Sequence, residues 1–321
     1  MTSAVRPRIV LSRCIEVDHC RWNSLRVASD VVKLLLPHVD IVPVCPEVEI
    51  GLGVPRPPIR VIKTDEGLRL YQPETARDCT VEMERFSDEF LGELGSVDGF
   101  ILKSRSPSCG SKEVRVYQGL SDHTVSRKGV GFFAAAVAAR YEGVAIEDEG
   151  RLTNWSLRHH FFTRIYAMAR FRSQVLTAPS MQALIGYHAA HKLLIMACNE
   201  RQLRMMGRIV ANHDGQPLDV VVRDYEQHLA LALQDAPRYT ASINVLMHAM
   251  GYFDLTPAEK RFFLDALDDY RASRVPLSVP IAIVRSWIVR FGQPYLAEQA
   301  FFAPYPEELV QVTDSGKGRD T

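Results

Sequence analysis

Three short runs of β-branched and other apolar residues, Arg8–Leu11, Val39–Val44 and Gly99–Leu102, alternate with helical stretches, and that alternation leaves few folds open. Each run is bounded by turn residues, as strands buried on both faces tend to be. Between the first two, Ser24–Leu36 places Leu25, Val31, Val32 and Leu35 in a helical pattern that stops at Pro37. Thr80–Leu94 forms a second helical stretch before the third strand, and Phe132–Tyr141 a third after Gly129-Val130-Gly131. The order predicts an α/β domain with a mostly parallel, Rossmann-like sheet covered by helices.

Beyond residue 150 the strand pattern ends. Thr153–Arg172, Ser180–Ala211, Leu218–Ala232, Thr240–Met250 and Pro257–Tyr270 suit helices, with Ser180 and Thr256 as N-caps and Pro257 at a first helical position. Five prolines from Pro276 to Pro306 punctuate the end of the chain. A length of 321 residues fits two cores better than one. The expected division is 1–150 for the α/β domain, 151–312 for an all-α domain and 313–321 for a disordered tail.

Charge marks the same boundary. Basic and acidic residues number 38 each, which excludes a uniformly basic nucleic-acid coat. Yet from 151 to 208 nine basic residues face a single acid, Glu200. Arg158, Arg164, Arg170, Arg172, Lys192, Arg201, Arg204 and Arg208 are candidate RNA contacts, the last three arginines recurring at i, i+3, i+7. The alternative is a solvated helix face. His159 and His160 could stack on bases, whereas His188 and His191 fit either a metal pair or hydrogen bonds inside a helical bundle. The glycines at 129 and 131 fit a tight turn better than a phosphate cradle. No run of eighteen apolar residues occurs, and the opening residues lack the apolar centre of a secretory signal, so a cytoplasmic protein is expected.

The six cysteines are too few and too dispersed for a disulfide framework. Cys14, Cys45 and Cys109 each follow one of the three strands, in the turns Ser12-Arg13-Cys14, Cys45-Pro46-Glu47 and Ser106-Pro107-Ser108-Cys109-Gly110. The carboxyl ends of parallel strands share one rim, where ligands bind. Three thiolates converging there would suit a soft metal or an iron–sulfur cluster and leave one coordination position open for substrate. The alternative is three buried cysteines acting as small hydrophobes. Glu47 and Ser106 can face the same crevice, as a proton carrier and a positioning hydroxyl, or can be ordinary turn residues. Cys20 lies near enough to Cys14 in sequence to be a spare thiol, Cys79 sits at a helix entry, and Cys198 reads as packing.

These turns, with Gly51-Leu52-Gly53-Val54-Pro55-Arg56 and Leu102-Lys103-Ser104-Arg105, resemble the thiouracil desulfidase domain over about residues 6–148. The second half resembles the helical domain often fused to it, through Asn154–Phe162, Tyr187–Leu194, Asn244–Tyr252 and Val275–Pro280. Together they are similar to the two-domain tRNA 4-thiouridine desulfidases. The resemblance implies a [4Fe–4S] cluster on Cys14, Cys45 and Cys109 with one open iron, and Glu47 and Ser106 as catalytic residues. It implies non-redox conversion of 4-thiouridine in tRNA to uridine with release of sulfide, with thiolated tRNA as partner and no obligate protein partner. Arg13-Cys14-Ile15-Glu16 departs from the single-domain members and agrees better with the fused ones. Two other readings stand beside this: desulfuration of free 2-thiouracil, and a non-catalytic RNA-binding protein that carries a cluster.

Overall fold

A computed structural model describes residues 5–310. The chain forms two compact units, one running up to Ile165 and including Glu308, the other Tyr166–Glu307.

In the first unit a four-stranded, fully parallel sheet has the order β2-β1-β6-β9, with β1 (Arg8–Ser12), β2 (Asp40–Val44), β6 (Gly99–Leu102) and β9 (Ala145–Asp148). The three strands expected from sequence are adjacent in it. All four residues of β6 are buried, as a central strand requires, whereas β2 lies at an edge and tolerates Pro43 there. A second, mixed sheet was not foreseen. It runs β5-β4-β3-β7-β8 through β3 (Arg60–Thr64), β4 (Gly67–Gln72), β5 (Arg77–Asp78), β7 (Val114–Gln118) and β8 (Thr124–Gly129). Its strands are half exposed, so their apolar signal is diluted. Val61, Leu70, Val114 and Val116 nevertheless join Val10, Phe100 and Leu102 in one core. The helices of this unit are α1 (Asp30–Leu35), α2 (Pro46–Glu49), α3 (Thr80–Glu93) and α4 (Phe132–Arg140).

The helix expected over Ser24–Leu36 shrinks to α1. Ser29 is extended and caps it, accepting from the Val32 amide, and Val27 is taken up by a β-bridge to Ile15. The stretch between them becomes a loop that carries Cys20. The compact unit also runs past the expected boundary at 150. A Cβ at Gly99 would lie 2.7 Å from Ile165, so the first turns of α5 (Trp155–Phe171) pack directly on β6.

The second unit is helical. It continues through α6 (Met181–Cys198), α7 (Glu200–Ala211), α8 (Leu218–Ala232), α9 (Tyr239–Met250), α10 (Pro257–Arg271), α11 (Ser278–Phe291) and α12 (Pro294–Ala297). The single helix expected over Ser180–Ala211 is two, because Asn199 turns extended (φ −158°) and its side chain caps α7 at the Gln202 amide. The helix α11 was hidden by its proline. Pro280 falls in the first turn, where its missing N–H breaks no helical bond. Thr256 and Glu259 close a reciprocal capping box on α10. Among the described residues no helix is long and apolar enough to cross a membrane. The tail expected at 313–321 lies outside the described residues.

Candidate active site

The carboxyl ends of β1, β2 and β6 open into a cavity of about 420 Å³. Its wall includes Cys14, Cys45 and Cys109, all less than a tenth exposed. Each thiol arrives by a different local device. Cys14 follows β1 by a turn stapled to β2 through the Arg13 amide and the Val44 carbonyl (2.7 Å). Cys45 is the N-cap residue of the one-turn α2, and its backbone carbonyl accepts from the Val48 amide (2.9 Å). Cys109 hangs on the loop after β6, where Ser12 Oγ accepts from the Lys103 amide (2.9 Å) and Ser108 Oγ donates to the Cys109 sulfur (3.7 Å).

Glycines seat that third loop. A Cβ on Gly131 would come within 2.5 Å of the Ser108 carbonyl oxygen, and one on Gly110 within 2.7 Å of the Ser106 oxygen. The first amides of α4 are spent on the same loop, Phe132 donating to Pro107 and Ala134 to Ser108 (both 3.1 Å). The paired glycines therefore serve loop packing, and those amides are not free for phosphate.

Glu47 stands between the loops. Its Oε2 accepts two bonds from Arg56, from Nε at 2.9 Å and Nη2 at 2.8 Å. Its Oε1 accepts from Ser108 Oγ at 2.7 Å, while Ser106 Oγ is 3.5 Å away. Ser108, rather than Ser106, is thus the direct hydroxyl partner of Glu47. Ser106 Oγ lies 3.0 Å from Ser108 Oγ and accepts from the Ser108 and Cys109 amides. On the cavity wall Lys103 is pinned by Glu149, Nζ to Oε1 at 2.5 Å, with Ser104 bonding both carboxylate oxygens.

Sequence reasoning missed Arg56, Ser108 and Lys103 as parts of this site. All three lie inside the quoted motifs, but only the approach of distant loops shows what they touch. Arg56 is buried, and its Nη1 also donates to the Cys20 and Gly53 carbonyls. Replacing Arg56 with alanine should cost about 3–5 kcal/mol, because it strands a largely buried carboxylate. Urea unfolding measures this. Arg56→Lys should recover only part of it, since an ammonium cannot form the two-pronged contact.

A hydrogen bond with Cys20 and then burial raise Cys45, and burial pushes Cys109 up to about 12. A soft cation reverses this balance, because a bound thiol is deprotonated. Among the described residues no group of three His, Cys, Asp or Glu could hold a single metal ion. Three thiols lining one cavity suit an iron–sulfur centre by the softness of their sulfurs.

The basic stretch splits. Arg158 is not available to RNA: it is buried and donates to the Leu152 and Thr153 carbonyls just upstream (2.9 and 3.1 Å). Arg164 donates to Gly143 and the largely buried Arg170 to Ala303. Arg172 is half-buried. Lys192 on α6 and Arg201, Arg204 and Arg208 on α7 stay exposed, with Arg204 bonded to Glu200. His159 stacks on Trp155, and burial lowers its pKa to about 4, so it contributes no charge. His188 meets the Tyr225 hydroxyl (3.1 Å) and His191 the Tyr187 carbonyl (2.9 Å), which makes both packing residues rather than a metal pair.

Residues 9–149 match the family model described as 2-thiouracil desulfurase. This match makes the chain a desulfidase, an enzyme acting on thiolated uracil. Residues 192–306 match a second model, described as a protein of unknown function (DUF1722), so a 2-thiouracil desulfurase domain is joined to a DUF1722 domain. Two curated relatives each cover about half of this chain. "Uncharacterized protein YbgA" of Escherichia coli is 27% identical over 48% of this chain and 92% of its own length. "Uncharacterized protein YbbK" of Bacillus subtilis is 26% identical over 46% and 98%. A solved structure, the [4Fe-4S]-dependent thiouracil desulfidase TudS, is 29% identical over 46% of this chain and 93% of that one, with a TM-score of 0.38.

Proposed function

We propose that the desulfurase domain holds a [4Fe–4S] cluster on Cys14, Cys45 and Cys109 and hydrolyses the carbon–sulfur bond of 4-thiouridine in tRNA. The products are uridine and sulfide, with no net electron transfer. The observation that carries the reading is the meeting of those three thiols with the Glu47–Arg56–Ser108 array in one cavity. When bound, the cluster supplies a Lewis acid and a soft acceptor for sulfur.

The chain's own groups supply the rest. Arg56 holds Oε2 of Glu47, which leaves Oε1 toward the serines as the atom that takes a proton from the attacking water. Oε1 then returns that proton as the ring recovers. Ser106 and Ser108 orient the water or the uracil edge. Lys103, fixed by Glu149, sits where its charge balances negative charge building on the base. Trp22, on the cavity wall and 45% exposed, offers an aromatic face to a flipped base.

The RNA reading draws on the exposed stripe Arg201, Arg204 and Arg208 with Lys192. Unstacking a base costs a few kcal/mol, and backbone contacts can offset that. Sulfide release from thiolated tRNA, free 4-thiouracil and free 2-thiouracil tests it. The tRNA should be preferred by about tenfold or more in kcat/KM, near 1.4 kcal/mol. A preference for free 2-thiouracil would favour the small-molecule reaction instead. Replacing all three arginines of the stripe with alanine should flatten the log–log salt dependence of tRNA binding by about 0.9 for each phosphate no longer neutralised. An unchanged slope would remove α7 from the RNA-binding face.

A further inference from the structure

A fourth thiol shares the cavity with the three strand-end cysteines. Cys20 is 2% exposed and lines the same wall, and its carbonyl accepts from the Cys45 thiol at 3.8 Å. Three cysteines suffice for the site proposed above, so that mechanism leaves Cys20 without a task. We propose that Cys20 is an exchangeable fourth ligand, capping the iron that Cys14, Cys45 and Cys109 leave open until a thiolated base displaces it. The inference rests on the cluster reading of those three residues.

The chemistry of the position supports this. A thiol lining the same cavity as three ligand thiols is a donor of the kind a soft metal centre takes up. On release the Cys20 sulfur keeps the electron pair of the broken bond, and the thiocarbonyl sulfur supplies the pair for the new one. In the exchange the iron–sulfur bond to Cys20 breaks as one to the thiocarbonyl sulfur forms. No electrons are transferred.

The loop supports it as well. Cys20 is carried by the irregular segment between Ile15 and Val27, pinned at its base by the bridge those two residues form. Its neighbour Trp22 also lines the cavity and is half exposed, two residues along the same loop. A base seated against Trp22 therefore presses on the segment that holds the cap. Arg56 ties both events to catalysis. Its guanidinium donates to the Cys20 carbonyl (3.0 Å) and to Glu47, and its amide donates to the Trp22 carbonyl (2.9 Å). Displacement of the loop is thus felt at the carboxylate that must act next.

The test uses anaerobically reconstituted full-length protein and cyanide as an external ligand for the reduced cluster, followed by its EPR spectrum. Cys20→Ser and Cys20→Ala, assayed for iron and sulfide beside wild type, should keep their clusters. Both should bind cyanide at least tenfold more tightly than wild type, because no internal ligand competes. Both should also lose one iron to ferricyanide faster. Equal cyanide affinity across cluster-loaded proteins overturns the cap and leaves the three-cysteine site standing. Loss of the whole cluster in both Cys20 variants also overturns it, because Cys20 would then be a permanent ligand. Wild type that assembles no cluster removes the underlying reading together with the cap.

Discussion

Replacing Cys45 with serine should strip the protein of iron and sulfide and reduce desulfuration below detection, while the fold stays intact. The two halves of that outcome have separate causes. Cys45 is the N-cap residue of α2, yet its side chain makes no capping bond to the helix amides. Serine is among the preferred N-cap residues, so the substitution leaves the local backbone as stable as before or more so. A hydroxyl, however, is a hard donor and a poor replacement for thiolate at iron. Metal content after anaerobic reconstitution and the thermal midpoint of the metal-free protein separate the effects. A Cys45→Ser protein with full iron and sulfide would remove Cys45 from the ligand set. The parallel changes at Cys14 and Cys109 should behave alike at the metal. Cys109 is enclosed by Ser12 and Ser108, so its replacement tests the same chemistry in a tighter setting.

Glu47→Gln should lower kcat by about 10²–10⁴-fold with the cluster retained, the range for losing a positioned acid–base group. The amide keeps the shape of the carboxyl but cannot accept a proton at the atom facing Ser108. The change also leaves the buried Arg56 without its counter-charge, so stability should fall together with rate. Iron content, kcat at saturating substrate and urea unfolding on the same preparation distinguish these effects. Glutamine at 47 with normal turnover would take the proton-transfer role away from this residue. Ser108→Ala then becomes informative: loss of its 2.7 Å bond should weaken catalysis more than Ser106→Ala if the direct partner of Glu47 matters most.

Much of the parallel sheet could be read from the residues. Arg8–Leu11, Val39–Val44 and Gly99–Leu102 are strands within a residue of where the apolar runs begin and end, because buried parallel strands are apolar almost throughout. The second sheet could not be read this way. Its strands are partly exposed, and residues such as Arg69, Lys63 and Arg115 interrupt the apolar pattern. The helix over Ser24–Leu36 failed for a related reason. Its periodicity is real only from Asp30 onward, and a tertiary bridge at Val27 claims the rest. The charge of 151–208 was counted correctly but its use was not. Arg158 and Arg170 turn inward to satisfy carbonyl groups, which composition cannot register.

What the chain determines by its sequence alone is that three cysteines follow three strands, and parallel strands end on a common rim. That places Cys14, Cys45 and Cys109 around one crevice without any knowledge of the loops. Only the tertiary structure decided which groups surround them: Arg56 on Glu47, Ser108 nearer than Ser106, and Cys20 as a fourth thiol. The physical reason is range. A strand and its rim follow from local apolar pattern, whereas a hydrogen bond between residues sixty positions apart exists only once packing has brought both loops to the same place.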